Sequence, residues 1–192
     1  MRYIFIILVL WSSISASKAQ QQNSSLKSNL DRFAIINIQK VLRLTLATRA
    51  IKPQLNKIRD QMQKKVQDKE KALKAENLAL QEQRAILSPE AFRQRRLDFQ
   101  AKVAALESDV RSFRKRLDAA GRAAMGQVKK SFSSVAADLA AERKFQLILP
   151  RAAAIYVDPA FDITDEILKR LNKKLPTVKV VLPSKQGSRP VQ

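Results

Sequence analysis

Two long helical patterns, roughly residues 48 to 87 and 89 to 143, meet at Leu87-Ser88-Pro89 and occupy about half of the chain. On the returning half, Phe99, Val103, Leu106, Val110, Phe113, Leu117, Ala120 and Ala124 alternate spacings of four and three, which is a coiled-coil seam. The outward half begins a seam with Ile51, Leu55, Ile58 and Met62. It then keeps an apolar residue only every seventh position, at Val66, Leu73, Leu80 and Leu87, with Lys69 and Glu76 where alternate core residues would fall. At about 1.5 Å per residue the two patterns build an antiparallel hairpin on the order of 60 to 80 Å long and two helices thick. Such an arm cannot close a pocket around a small substrate, but it can reach around something large.

The reversal between the halves is well specified. Ser88 can accept from the first free amides of the returning helix, Pro89 has no donor to waste at its first position, and Glu90 complements the positive end of the helix dipole. The outward helix is expected to start near Thr48, with Pro53 close to its first turn, where a missing amide costs least.

The first nineteen residues read as a cleavable export signal. Arg2 supplies the charged start, Ile4 to Trp11 the apolar run, and Ser17-Lys18-Ala19 the small-x-small cleavage pattern, so the mature chain is expected to begin at Gln20. Eight apolar residues fall short of the roughly 20 needed to span a bilayer. The mature chain is expected to be exported. Residues 20–32 are polar and aperiodic and read as a flexible leader.

Composition narrows the chemistry. With no Cys and no His, the chain lacks thiol and imidazole groups, which removes Cys-His and Ser-His nucleophile pairs and most zinc sites. No Gly-rich phosphate cradle is present, so no nucleotide-driven step is expected, and neither enzyme activity nor a cofactor is expected. The balance of charge is +20, from 37 basic and 17 acidic residues. Residues 51–144 hold 22 basic and 12 acidic residues and so carry half of that excess, which makes the arm a cationic surface suited to acidic polypeptides, anionic headgroups or other polyanions.

Short apolar runs flank the arm. Phe33 to Ile38 reads as a strand leading into a helix capped by Asn37, and Phe145 to Leu149 with Ala153 to Val157 reads as a β-hairpin about Pro150-Arg151. A last helix opens at Asp162 to Glu166, capped by Thr164 or Asp162, and runs through Leu171. Residues 176–192 hold three prolines and several basic residues and are expected to be mostly disordered, with Val178 to Leu182 available as an edge strand. The feet of the arm, residues 33–47 and 144–175, therefore meet in one small sheet, with residues 48–143 as the arm. Three short strands do not stand alone, so self-association is expected, with Phe33, Ile35, Leu147, Leu149, Ile155 and Val157 as the oligomerisation residues.

Two further groups stand out. Near the tip, Phe92, Arg93, Arg95, Arg96 and Phe99 place aromatic and guanidinium groups together, and with Lys64 and Lys65 on the outward helix they form the candidate contacts for a bound partner. The blander account assigns Phe99 to the seam and the arginines to water. Gly121 and Gly126 lie where the seam changes to Ala124, Val128, Phe132, a stutter expected to act as a pivot for the arm, against mere tolerance of glycine or close helix packing as the alternatives.

The segment Phe33 to Leu42, a long basic helical hairpin, and the closing run Phe145 to Leu149 through Ala154-Ile155-Tyr156-Val157-Asp158-Pro159-Ala160-Phe161-Asp162-Ile163-Thr164-Asp165-Glu166 together resemble the Skp (OmpH-like) periplasmic chaperones. The resemblance covers about residues 33–174, and the closing run is its most specific part. It implies an α+β fold: a β-barrel body built from the strands of three chains, carrying long antiparallel coiled-coil arms in a jellyfish-like homotrimer. It also implies an ATP-independent holdase that encloses unfolded outer-membrane proteins before their assembly. Pro150 and Ala152 depart from the Asp and Asn that the family often has at that turn, and the tail after Lys174 is longer than the pattern requires. The rival reading is an exported cationic coiled coil that binds polyanions. Lipopolysaccharide or anionic lipid binding is compatible with chaperoning, whereas nucleic acid is disfavoured by export and by the lack of any nucleic-acid-binding module.

Overall fold

The computed structural model describes residues 32–185. The expected signal segment, its cleavage after Ala19, the leader up to Asp31 and the last seven residues lie outside the described residues. In chain order the elements are β1 (Phe33–Ile36), α1 (Ile38–Leu44), α2 (Leu46–Gln83), α3 (Pro89–Arg143), β2 (Leu147–Pro150), two short 3₁₀ turns (Arg151–Ala153 and Pro159–Phe161) and α4 (Thr164–Lys174). The fold is mostly helical, with a long helical hairpin standing on a small two-stranded sheet.

β1 and β2 pair in parallel, Phe33 opposite Leu147 and Ile35 opposite Leu149, and the whole arm is the connection between them. On the other side of β1, Ile35 bridges to Asp162, and the Ile163 amide donates to the Ile35 carbonyl. The strand is shorter than its apolar run because Asn37 ends it. The Asn37 side chain accepts from the Lys40 amide at 2.9 Å, so Ile38 already belongs to α1.

Ala34 and Ile36 from β1, Val41 from α1, Val135 and Leu139 from α3, and Ile163, Ile167 and Leu171 around α4 form the body core. Four of them, Val41, Leu139, Ile167 and Leu171, have no exposed surface at all. Polar ties lock the same elements. The Asn37 amide donates to the Thr164 hydroxyl at 2.9 Å, and Asn172 Oδ1 accepts from both the Thr45 hydroxyl and the Leu46 amide at 2.9 Å. The second tie caps α2 from α4, since Thr45 makes no side-chain cap of its own. Arg170 bridges Glu142 and Glu166, and Lys174 bridges Ser134 and Asp138, which fastens α4 along α3.

α2 starts at Leu46, two residues before the expected Thr48, so Pro53 sits two turns inside the helix and the Arg49 carbonyl loses its intrahelical amide. Both residues are exposed, so water can serve that carbonyl. α2 also ends earlier than expected, at Gln83, and Arg84 to Leu87 form the turn before the Ser88 cap, whose hydroxyl accepts from the Ala91 amide. α3 ends on Lys144, held at φ 57° in the left-handed region, while the Phe145 amide closes onto the Ala140 carbonyl at 2.9 Å. A side chain at such a position costs on the order of 1 kcal/mol relative to glycine.

Two expectations are corrected. Ala153 to Val157 is not a strand and makes no hairpin with β2: Pro150 ends β2, the chain coils into a 3₁₀ turn, and residues 154–158 have no strand neighbour among the described residues. Ile155 and Tyr156 consequently stand in solvent. The tail is neither disordered from residue 176 nor an edge strand. Val178 and Val180 are buried against the foot of the arm together with Ala47, Ile51, Ala120, Ala124 and Val128.

Candidate functional site

The arm is built unevenly. On α3 the buried residues are Leu117, Ala120, Ala124, Val128, Val135 and Leu139, all in the half nearer the body, and beyond them only Leu80 of α2 is buried. Where the outward seam lacks apolar residues, ion pairs cross the hairpin: Lys69 meets Asp109 at 3.3 Å, and Glu76 meets Lys102 at 2.6 Å. These pairs set the register and explain the polar residues at seam positions. Asp109 also receives Lys185 of the tail at 2.6 Å. Hydrogen bonds from Lys185 and then Lys69 hold its carboxyl below the ordinary aspartate value.

Internal pairing uses arm acids and leaves the candidate cations free. Among the described residues, no ion pair engages Lys64, Lys65, Arg93, Arg95 or Arg96, and all five are exposed. Phe92 and Phe99 are half-buried beside them. The tip group sits together on the first turns of α3, but Lys64 and Lys65 do not join it. In the register of the ion pairs they lie opposite the Phe113 region, about 20 Å down the arm from Phe99. Lys65 instead borders a cleft of about 260 Å³ with Met62, Val66, Leu106, Phe113 and Arg116.

Seam reasoning missed three aliphatic residues near the tip. Ile86 is 82% exposed, Leu78 53% and Leu97 50%. All three fall off the heptad positions, and a large aliphatic off the seam of a charged helix is the signal that would have found them. The outer arm therefore presents cations and isolated apolar groups side by side, with little packing to hold its shape.

Gly121 and Gly126 lie in an unbroken α3. A Cβ at Gly121 would meet Leu55 of α2 at 3.4 Å, whereas one at Gly126 would meet nothing within 4 Å. The first glycine thus sits at the helix–helix contact and the second faces away from it.

On the body, alternation along the two strands separates the sheet faces. Ala34, Ile36 and Ile148 go to the core, which leaves Phe33, Ile35, Leu147 and Leu149 on the opposite face. Phe33, Leu147 and Leu149 are about two-fifths exposed, and among the described residues β2 pairs only with β1. Four of the expected oligomerisation residues thus share one open apolar face. Ile155, fully exposed, and half-buried Val157 lie on the following loop with Tyr156, which sequence reasoning did not include.

Two carboxylates at the body titrate below the ordinary value: Glu142, held down by the hydrogen bond from Arg170, and Asp162. For Asp162 the balance is between opposing causes. Burial pushes it up, but hydrogen bonds from Thr164 and the charges of Arg151 and Lys40 outweigh that and leave it below the ordinary value. Its role is structural, accepting from the Thr164 amide at 2.9 Å at the start of α4. Among the described residues no cluster of acids could hold a metal ion, and no helix is long and apolar enough to cross a membrane.

The family described as outer membrane protein (OmpH-like) matches residues 32–171, from the residue before β1 into α4. The chain belongs to the OmpH-like family. A crystal structure named as a candidate OmpH-like outer membrane chaperone from Caulobacter crescentus superposes with a TM-score of 0.72 at 21% sequence identity. The superposition covers 81% of this chain and 92% of that one, so the OmpH-like fold extends over both body and arm. No protein of curated function matches the chain significantly.

Proposed function

We propose that this OmpH-like protein is an ATP-independent holdase, which binds unfolded outer-membrane proteins in the periplasm and keeps them from aggregating. The observation that carries the reading is the outer arm: unpaired cations beside exposed aliphatics, on a hairpin with one buried residue beyond Leu117. A holdase needs many weak contacts on an adaptable wall rather than one complementary pocket. Unpaired Lys and Arg attract acidic chains over about 8 Å at physiological ionic strength, and Leu78, Ile86 and Leu97 add limited apolar contact. The candidate contacts are Phe92, Arg93, Arg95, Arg96, Phe99, Lys64 and Lys65, joined by those three aliphatics.

The open face of Phe33, Ile35, Leu147 and Leu149, together with the unpaired edge of β2, supports self-association. A two-stranded sheet with an apolar outer face is marginal alone, and a closed homotrimer would cover the face and bring three arms around one cavity. Gly121 and Gly126 remain the proposed pivot of each arm, with the contact to Leu55 as its inner stop.

The test mixes the mature protein with a urea-unfolded outer-membrane β-barrel protein, dilutes the urea without nucleotide, and follows light scattering together with oligomer mass. Suppressed scattering by a trimeric species, weakened by added salt and by deletion of residues 60–115, is the expected result. Unchanged scattering combined with retention of DNA or lipopolysaccharide at physiological salt would replace the reading with a polyanion-binding one.

A further inference from the structure

The family match ends at Leu171, so the tail lies beyond it. After α4 the chain turns at Leu175-Pro176 and runs extended outward along the arm, between α2 and α3. Side chains alternate: Val178 and Val180 are 2% and 7% exposed, Leu182 is half-buried, and Lys179 and Val181 face solvent. The groove floor is made of small or short groups, Ala47, Ala120, Ala124 and Val128, walled by Ile51, Leu55, Ile58 and Met125. The run of small residues in α3 is therefore occupied space.

Gln54 grips the backbone of this segment. Its Nε2 donates to the Val178 carbonyl at 2.8 Å, and its Oε1 accepts from the Val180 amide at 3.0 Å. A further bond from Nε2 to the Ala50 carbonyl fixes the rotamer. One carboxamide thus takes the place that a peptide group of a neighbouring parallel strand would take against Lys179. Farther out, Arg116 Nε donates to the Pro183 carbonyl at 2.6 Å, and Lys185 reaches Asp109.

These contacts read almost nothing of the sequence. The backbone is held by Gln54 and Arg116, and the groove asks only for apolar side chains at alternate positions, the logic by which strand addition separates affinity from specificity. Strands of outer-membrane barrels meet that requirement, being segments of about ten residues with alternating hydrophobicity. We propose that the groove between α2 and α3 at the foot of the arm binds one extended client strand with apolar residues at alternate positions, and that the chain's own residues 175–185 fill it as a resident, displaceable strand. This rests on the holdase reading and names where, within that surface, a client strand is seated. Two buried valines, the half-buried Leu175 and Leu182, a handful of hydrogen bonds and the exposed Lys185–Asp109 pair hold the resident strand. A tethered segment with an effective concentration on the order of millimolar weakens a competitor by the ratio of that concentration to the segment's own dissociation constant, about tenfold where the constant is on the order of a tenth of it.

The probe is a fluorescein-labelled synthetic peptide of about ten residues, with valine at alternate positions and threonine or lysine between, and anisotropy is the readout. It is titrated into the full mature chain, into the chain ended after Lys174, and into the full-length Val178→Asp, Val180→Asp variant, which keeps every residue of the tail should the shortened chain fail to fold. Binding to the two altered proteins is expected to be about tenfold tighter than to the unaltered chain. Gln54→Ala in the Val178→Asp, Val180→Asp background is expected to lose at least about half of that gain, and a synthetic peptide of residues 175–185 is expected to compete. Equal affinity for all three proteins, or equal binding of a peptide with its valines run together, overturns the proposal. Light scattering with an unfolded client is read in parallel. Loss of suppression with the peptide results intact removes the holdase reading and leaves a strand-binding groove; suppression without any effect of the tail on peptide affinity removes the groove alone.

Discussion

The foot and the outer arm of this molecule share α2 and α3, but at the foot β1, α1 and α4 pack against them and the rules of assembly are opposite. At the foot, Val41, Val128, Leu139, Ile167 and Leu171 are wholly enclosed, and Asn37, Thr45, Thr164 and Asn172 tie four elements together through hydrogen bonds. Farther out, Leu80 is the one buried residue and ion pairs such as Lys102–Glu76, exposed and worth little individually, stand where apolar pairs would be. Stability is concentrated where the chain must keep one shape. The arm gives up packing, and with it a fixed shape, where adaptability is of use.

That contrast can be broken most severely at the body core. Leu139→Ala removes a fully enclosed side chain from the junction of α3, α4 and the sheet, and is expected to cost about 2 to 5 kcal/mol in denaturant unfolding. Asn172→Ala comes next. It strips the buried Thr45 hydroxyl and the first amide of α2 of their shared acceptor and should cost about 2 kcal/mol, with helix loss beginning at the foot of α2 in hydrogen exchange. Acid sharpens the comparison further. The Asp162 carboxyl is depressed in the folded state, so its stabilisation is complete above the ordinary carboxylate value of about 3.9 and is lost as pH falls through its lower folded value. Asp162→Asn should flatten that part of the acid limb, read as the urea midpoint against pH. The smallest expected effect lies on the arm: Leu73→Ala, at a half-buried seam position, should change global stability by less than about 1 kcal/mol while speeding exchange along the outer arm. A Leu73→Ala loss as large as that of Leu139→Ala would refute the division altogether.

How much of this was legible in the sequence follows the same division. The hairpin, its Ser88 reversal and the Asn37 cap are local, and local spacing encodes them. What the sequence hid depends on distant partners. No nearby residue identifies Asn172 as the cap of α2, because Thr45 lies 127 positions away. The expected β-hairpin failed because apolar content alone does not supply a ladder neighbour, and Ile155 and Tyr156 have none among the described residues. The tail failed for the reverse reason: its prolines and lysines read as disorder, yet a groove assembled from Ala47, Ala120 and Ala124 accepts Val178 and Val180. For the candidate site, the cations near the tip were visible as composition, whereas Leu78, Ile86 and Leu97 required knowing which side of each helix faced its partner.

The tie from Asn37 to Thr164 spans 127 residues, as does that from Thr45 to Asn172, and this fixes an order of assembly. A chain that emerges N-terminus first can zip the arm as soon as Arg143 is free, because hairpin contacts are made by neighbours in sequence. The first strand and the first turn of α2 must wait until α4 has followed. Any pause in delivery of the last few dozen residues would therefore leave a formed arm on an unfinished base. Refolding of chains ended shortly before Asn172 should show that intermediate as helical signal without cooperative unfolding.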